Sequence, residues 1–503
     1  RYHHPCTNGI IIAMKYYLLF YYSILISLTF PQTIDYNIEL IHNIIFENSS
    51  NNFGVSDVWG YTDETGIEYA IVGHASGTSI INVSEQEPLE VANIMGPSNG
   101  DYYFHRDYKT YNNHLYIVNE MYGGDVGMQV IDLSPLPEDS PIQLETYNGI
   151  GQSHNLWIDP SGYGYIEHQS GDNIHIVNLL EPSYPIYESS FGNQALNCHD
   201  IYTENNIAYI SEGWSNQFGI YDITNLDDII LLATIPCQGY AHNAWLNESG
   251  THLITTEETQ NITIKVWDIS DLDNIFLTGE YIGENGLAHN VHILNNHVYI
   301  SHYTTGLKII DIFNPYEPIE VAAYDTYSED NSEGFYGCWG AYPFTNNNYI
   351  YASDMQNGLF ILNFNNINAG WINGVLYING EIAPNTSIQS LLNNKVFLTD
   401  SQGYFNFGFP EGEQHFRVND DTTTVNITGH QNNNLNIYIN NDTQNGDINS
   451  DNTIDILDII IAINIILGEY LPSELEILIA DINHDGNINI QDVILLIQLV
   501  LDS

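Results

Sequence analysis

The residues best equipped for chemistry lie near the end of the chain, where carboxylates and carboxamides alternate with other residues. Asp447, Asn449, Asp451, Asp455 and Asp458 form one set, and Asp481, Asn483, Asp485, Asn489 and Asp492 repeat its spacing 34 positions later. A hard cation such as calcium takes several oxygen ligands from a flexible loop, and a loop of about 12 residues supplies them from alternating positions. The seventh position contributes a backbone carbonyl, here that of Thr453 and of Asn487. Position six is Gly486 in the second loop and Asn452 in the first, residue types that tolerate a left-handed turn. Two calcium ions are therefore expected. Each loop runs into an apolar stretch, 456–467 and 490–501, that reads as a helix. An ordinary EF-hand also has a helix before each loop and usually Glu at position twelve. Here residues 440–446 are unsuited to a helix, and position twelve is Asp in both loops.

A second set recurs about every 46 residues: His105, His154, His199, His242 and His289, each followed by a polar residue, with Trp59 and Trp339 in the same place in the first and last copies. In a circular fold, five imidazoles at equivalent points converge near one mouth of the axis. There they suit a metal or other ligand, or they serve each repeat by hydrogen-bonding its neighbour. Arg106 is one of few cations, placed either to hold an anionic or sugar ligand or to pair with Asp107 or Glu120. The sequence has no Gly-x-Ser-x-Gly elbow, phosphate-cradling loop or His-Glu-x-x-His helix, so it names no catalytic residue.

The elements that position these groups are mainly β. After each His or Trp start comes a short strand such as 115–118 or 298–301, then another such as Gln129-Val130-Ile131-Asp132-Leu133 or Lys308-Ile309-Ile310-Asp311-Ile312, then a final run such as 318–323. Four short strands per unit, seven times over, predict a seven-bladed β-propeller across 36–365. The last copy is one strand short and a lone strand precedes the first, so the N-terminal strand is expected to close the ring. These residues resemble the LVIVD repeat, and the stretch is similar to the choice-of-anchor B family of exported bacterial proteins, a resemblance that implies no established activity. From Trp371 a different strand pattern runs across 369–440. Its segment 397–407 with Pro410-Glu411-Gly412 resembles transthyretin-like sandwiches related to carboxypeptidase regulatory domains, which implies a spacer. The tandem loops across 445–503, with Asp at position twelve and no helix before the first, resemble type I dockerins. That resemblance implies attachment to a cohesin-like partner. The helix positions that dockerins often fill with polar and basic residues are mostly Ile, Leu, Asn and Gln here.

Composition bounds the rest. With 63 acids against 8 Lys plus Arg, the formal charge of −55 disfavours nucleic acid and anionic membranes, whose phosphates need cationic side chains. Met14-Lys15 followed by the apolar run 16–30 and Pro31-Gln32-Thr33 reads as a signal peptide over 14–33, with 1–13 as a non-native leader. That places the protein outside the cell or on its surface, with no membrane span in the mature chain. Cys6 falls in the leader, which leaves Cys198, Cys237 and Cys338: either Cys198 pairs with Cys237 or all three stay free thiols. The functional expectation is a non-catalytic binding or scaffold protein attached through calcium, with a glycan as one candidate ligand. The alternative is a polysaccharide-active hydrolase or lyase delivered by the same tail.

Overall fold

In the computed structural model the described residues are 35–47, 53–96, 105–121, 126–168, 173–192, 197–283, 286–329, 334–419, 421–439, 446–449, 451, 453–472, 474–483 and 486–502. The expected leader and signal segment lie outside them, as do Asn452 and Asp485. The chain divides into two compact units, Arg1–Ala369 and Gly370–Ser503.

The first unit holds seven four-stranded antiparallel sheets. Six are built from consecutive strands, and the seventh joins Ile38–Ile44 to Gly358–Phe364, Tyr349–Asp354 and Cys338–Tyr342. The N-terminal strand pairs antiparallel with Gly358–Phe364, Ile38 opposite Phe364 and Ile44 opposite Leu359. Within a sheet the second and third strands are almost wholly buried, as in Glu68–His74 and Gly77–Asn82, whereas fourth strands such as Ile186–Gly192 are mostly exposed. Isoleucine, valine and tyrosine dominate the buried strands because such side chains pack well on a pleated surface.

Apolar clusters tie the sheets together in sequence order. Tyr69 and Ile71 of the first sheet pack with Tyr108 and Ile117 of the second, and the series continues pairwise round to Ile350 and Phe360 of the seventh against Tyr299 and Leu307 of the sixth. One further cluster joins Val58 and Val72 of the first sheet to Tyr351 and Ile361 of the seventh. This array fits a β-propeller, in which each sheet buries its faces against its neighbours.

In the second unit two sheets enclose a phenylalanine-rich core. Ala369–Ile378 is flanked by Tyr404–Pro410 and pairs in parallel with Asn432–Asn434 and Ile437–Ile439; the other sheet has the order Val396–Leu398, Ser387–Ser390, Gly412–Val418, Asp421–Ile427. Phe405, Phe407 and Phe409 alternate along one strand and meet Phe416 of the facing sheet. Gly374 is required by close approach, because a Cβ there would lie 1.6 Å from the Leu435 carbonyl oxygen.

The tail carries helices α1 (Ile456–Leu467), α2 (Glu474–Ala480) and α3 (Ile490–Asp502). Ala462 from α1, Ile479 and Ala480 from α2, and Val493 and Leu496 from α3 share a small core with Ile448. Among the described residues no helix is long and apolar enough to cross a membrane.

Candidate functional site

Every sheet of the first unit contributes to one cavity, lined among others by Asp57, His105, His154, His199, His242, His289 and Trp339. Six of its aromatic rings form a closed circle. Centroids are 4.1 Å apart from His105 to His154, then 4.6, 4.3, 4.4 and 4.3 Å through His199, His242 and His289 to Trp339, with 5.4 Å back to His105. The ring nitrogens stitch neighbouring sheets. His105 Nε2 donates to the His154 carbonyl at 2.8 Å, His199 Nδ1 to that of His242 at 3.0 Å, and His289 Nδ1 to that of Trp339 at 2.5 Å.

Next along the inner strands is a layer of Asp and Asn side chains that repeats this logic. Asp107 Oδ2 accepts from the backbone of Leu156 at 2.6 Å and from Asn155, Asp200 accepts from Asn243 at 2.8 Å, and Asn243 accepts from the backbone of Val291 at 3.0 Å. A third layer is aromatic. Trp157 lies against Tyr202 and Trp245, Trp245 against His292, and Trp59 against Tyr342. Lys109 joins it, 2.8 Å from Asp107 and 4.5 Å from the centre of the Trp59 ring.

Burial governs the charges here. It lowers the imidazoles of His105 to about 4 and His289 to about 3, and drives those of His199 and His242 well down, so these rings are neutral. His154 differs. Burial opposes its protonation, but the hydrogen bond and charge of Glu120, 3.0 Å away, hold it at about 9. Glu120 is itself held at about 2, its burial outweighed by His154. Burial and then the like charge of Asp107 raise Asp57 to about 8, and burial raises Glu258 to about 7.

Three expectations are corrected. Arg106 does not line the cavity: side chains alternate along a strand, so with His105 and Asp107 facing inward Arg106 faces the other way. It is fully buried, its guanidinium donating to the His74 carbonyl at 2.7 Å and contacting Met121 Sδ at 3.1 Å, while Asp107 pairs with Lys109 and Glu120 with His154. Trp59 is not the first sheet's counterpart of the histidines. The first sheet reaches the cavity through Asp57, and Trp59 lies in the aromatic layer with Trp157, Trp245 and His292. The Cys198–Cys237 pair does not form, and Cys198, Cys237 and Cys338 are free thiols. Cys198 packs between the third and fourth sheets and Cys237 against the cluster of the fourth and fifth, on opposite faces of the fourth sheet.

Sequence reading named Glu120 only as a partner for Arg106 and missed Glu167, Glu212 and Glu258. All four recur at the ends of the second strands, and this repeat was a usable signal. Glu167 accepts from the backbone of His154 at 2.9 Å, and Glu258 accepts from the Tyr303 hydroxyl.

The tail loops are built alike. Asp458 is fully buried and accepts from the backbone N–H of Asn449 at 3.1 Å and of Asp455 at 2.9 Å; Asp492, equally buried, accepts from Asn483 at 3.3 Å and Asn489 at 2.9 Å. Asp455 caps α1 through the N–H of Leu457 at 2.7 Å, and Asn489 makes the matching bond to Gln491 at 2.8 Å. Gly486 takes φ +82, the left-handed turn expected of position six, and its N–H reaches Asp481 at 2.8 Å. No Lys or Arg follows Arg417, so the buried carboxylates of the tail have no fixed cation from their own segment. An oxygen-only donor set of this kind fits calcium. On the helix surfaces Ile456, Ile460, Ile463 and Leu467 are exposed, and so are Ile490, Ile494, Ile497 and Leu501 at the same spacing.

Two family models match parts of the chain. Residues 445–501 match the family model for the dockerin type I domain, whose members bind calcium, and residues 285–326 match that for the LVIVD repeat. No curated protein matches the chain. Among solved structures, the WD40 domain of Neurospora crassa Pan2 is similar at 9% identity and TM-score 0.46, over 67% of this chain and 98% of that one. The computationally designed Ika8 protein is similar at 11% identity and TM-score 0.42, over 64% and 99%. A functionally unknown protein from Desulfotomaculum acetoxidans is similar at 15% identity and TM-score 0.41, over 56% and 87%.

Proposed function

We propose that this is an exported attachment protein: a seven-bladed propeller closed by its N-terminal strand serves as a non-catalytic binding platform, a regulatory-type sandwich acts as spacer, and a dockerin carrying two calcium ions docks onto a cohesin. The observation that carries the reading is the duplicated loop, in which Asp458 and Asp492 are buried with the same two backbone donors and no cationic side chain in their segment. One ion would be held by Asp447, Asn449, Asp451, the Thr453 carbonyl, Asp455 and Asp458, the other by Asp481, Asn483, Asp485, the Asn487 carbonyl, Asn489 and Asp492. Because the three helices share so small a core, calcium supplies a large share of its folding free energy.

The exposed isoleucine and leucine rows on α1 and α3 give the docking face its chemistry. An apolar patch of this kind favours a partner with a matching apolar surface, so that binding depends on calcium and little on ionic strength. The propeller's ligand class follows from its charge. With acids far outnumbering bases, neutral or cationic ligands, including neutral glycans, are favoured over anionic polymers.

Calorimetric titration of the full chain with calcium, followed by circular dichroism, tests the reading. Two equivalents bound with a rise in helical signal are expected. A single equivalent, or helices unchanged by a chelator, would remove it.

A further inference from the structure

Within the circle of imidazoles one pair stands out because the acid beside it is not held in a hydrogen-bonded ion pair, as Glu120 is with His154. His242 and His289 are each 2% exposed and adjacent in the ring, 4.4 Å between centroids, and Glu258 lies at the end of the second strand of the same sheet as His242. One ligand atom from each of the three lies within 4.8 Å of the others. Glu258 Oε2 is 3.7 Å from His242 Nε2, which is too long for a hydrogen bond. Two donors at about 2.1 Å from a shared tetrahedral metal stand roughly 3.4 Å apart, so the separation suits a common ion.

The surroundings are already arranged for ligation. His289 spends its Nδ1 proton on the Trp339 carbonyl at 2.5 Å, which leaves the Nε2 lone pair free. A backbone carbonyl that fixes the tautomer and ring angle of a metal-binding histidine is a recurrent outer-shell device. Glu258 is oriented in the same way, its Oε1 taking the Tyr303 hydroxyl proton while Oε2 stays turned to His242, and the Tyr303 ring packs 5.2 Å from that of His289. His242 Nδ1 is buried without a hydrogen-bond partner.

We propose that His242, Glu258 and His289 form a binding site for a divalent transition metal of the zinc and cobalt type, separate from the calcium loops. Two imidazoles and one carboxylate suit such ions, whereas calcium prefers oxygen alone. The site breaks the symmetry of the ring. At the opposite side the corresponding acid, Glu120, is committed to His154 as an ion pair, so a metal there would have to displace a proton held at about 9.

The test uses the full chain saturated with calcium, so that the tail loops are filled, and titrates it with Co2+ as probe. One equivalent should bind and give the intense visible absorption of a low-symmetry, nitrogen-ligated cobalt ion. Glu258→Gln, which keeps the size of the side chain, should weaken binding by roughly tenfold or more. His199→Gln, in the same ring but outside the three residues, should retain one equivalent. Absence of cobalt binding by the unaltered protein would overturn the proposal whatever the variants do, and so would equal affinity in a folded Glu258→Gln protein or weak oxygen-type bands alone.

Discussion

Replacing Glu120 by Gln isolates one interaction inside the ring. Glu120 Oε1 lies 3.0 Å from His154 Nδ1, and the two side chains are 19% and 22% exposed. Burial alone would drive both groups towards their neutral forms; instead His154 stands at about 9 rather than 6.5 and Glu120 at about 2 rather than 4.5. Each tenfold change in proton affinity corresponds to about 1.4 kcal/mol, so either displacement points to roughly 3 kcal/mol. The two describe one interaction and are not added. Residual solvent contact lowers the expected loss to about 2–3 kcal/mol. The sign follows from linkage. The raised His154 contributes stability that is complete below 6.5 and is lost as pH rises through about 9, and the lowered Glu120 contributes above 4.5 and loses it as pH falls through about 2. Full cost is therefore expected between pH 4.5 and 6.5. At pH 10, where His154 is neutral, it should shrink below about 1 kcal/mol. Denaturant unfolding at pH 5.5 and pH 10, followed by tryptophan fluorescence, reads this, since all the tryptophans except Trp371 lie before residue 370. An equal cost at both pH values would show that Glu120 acts by packing and neutral hydrogen bonding, not as the anion of an ion pair.

Other outcomes follow from the same geometry. His292, lowered to about 3 by burial and then by Lys109, stays neutral in the fold while its unfolded counterpart protonates below 6.5. His292→Phe should therefore flatten the acid loss of stability by up to about 1.4 kcal/mol per pH unit between pH 6.5 and 4, measured by unfolding across that range. Asp458→Asn and Asp492→Asn should each remove one calcium equivalent in calorimetry and leave the other, because each carboxylate serves a single loop. Phe416→Ala, at a fully buried position between the two sheets of the sandwich, should cost about 3–5 kcal/mol in denaturant unfolding, to the same extent with and without calcium.

What the sequence disclosed was what spacing along the chain can carry. The loops at Asp447 and Asp481 were readable because calcium ligation imposes a fixed local pattern, and the histidines because five successive repeats place one at the head of the inner strand. Facing is harder to read. Arg106 adjoins a cavity residue yet points away from it, and Trp59, which counting sets level with the histidines, lies with Trp157 and Trp245 in the next aromatic layer. Contacts across elements are harder still: Glu258 stands 16 residues from His242 and 31 from His289, and only the sheet order brings the three together. Cys198 and Cys237 follow the opposite course, neighbours by repeat number but set on the two faces of one sheet.

Calcium-dependent docking is the claim on which the reading of the whole chain turns. Surface plasmon resonance of the full chain over immobilised type I cohesins, in calcium and then in chelator, tests it most directly. The account predicts binding in calcium that is abolished by chelator, restored by calcium, weakened when Asp458 and Asp492 are both Asn, and nearly unchanged between low and moderate salt. Binding that persists in chelator, or no binding to any cohesin by a chain whose calcium sites are filled, would contradict it.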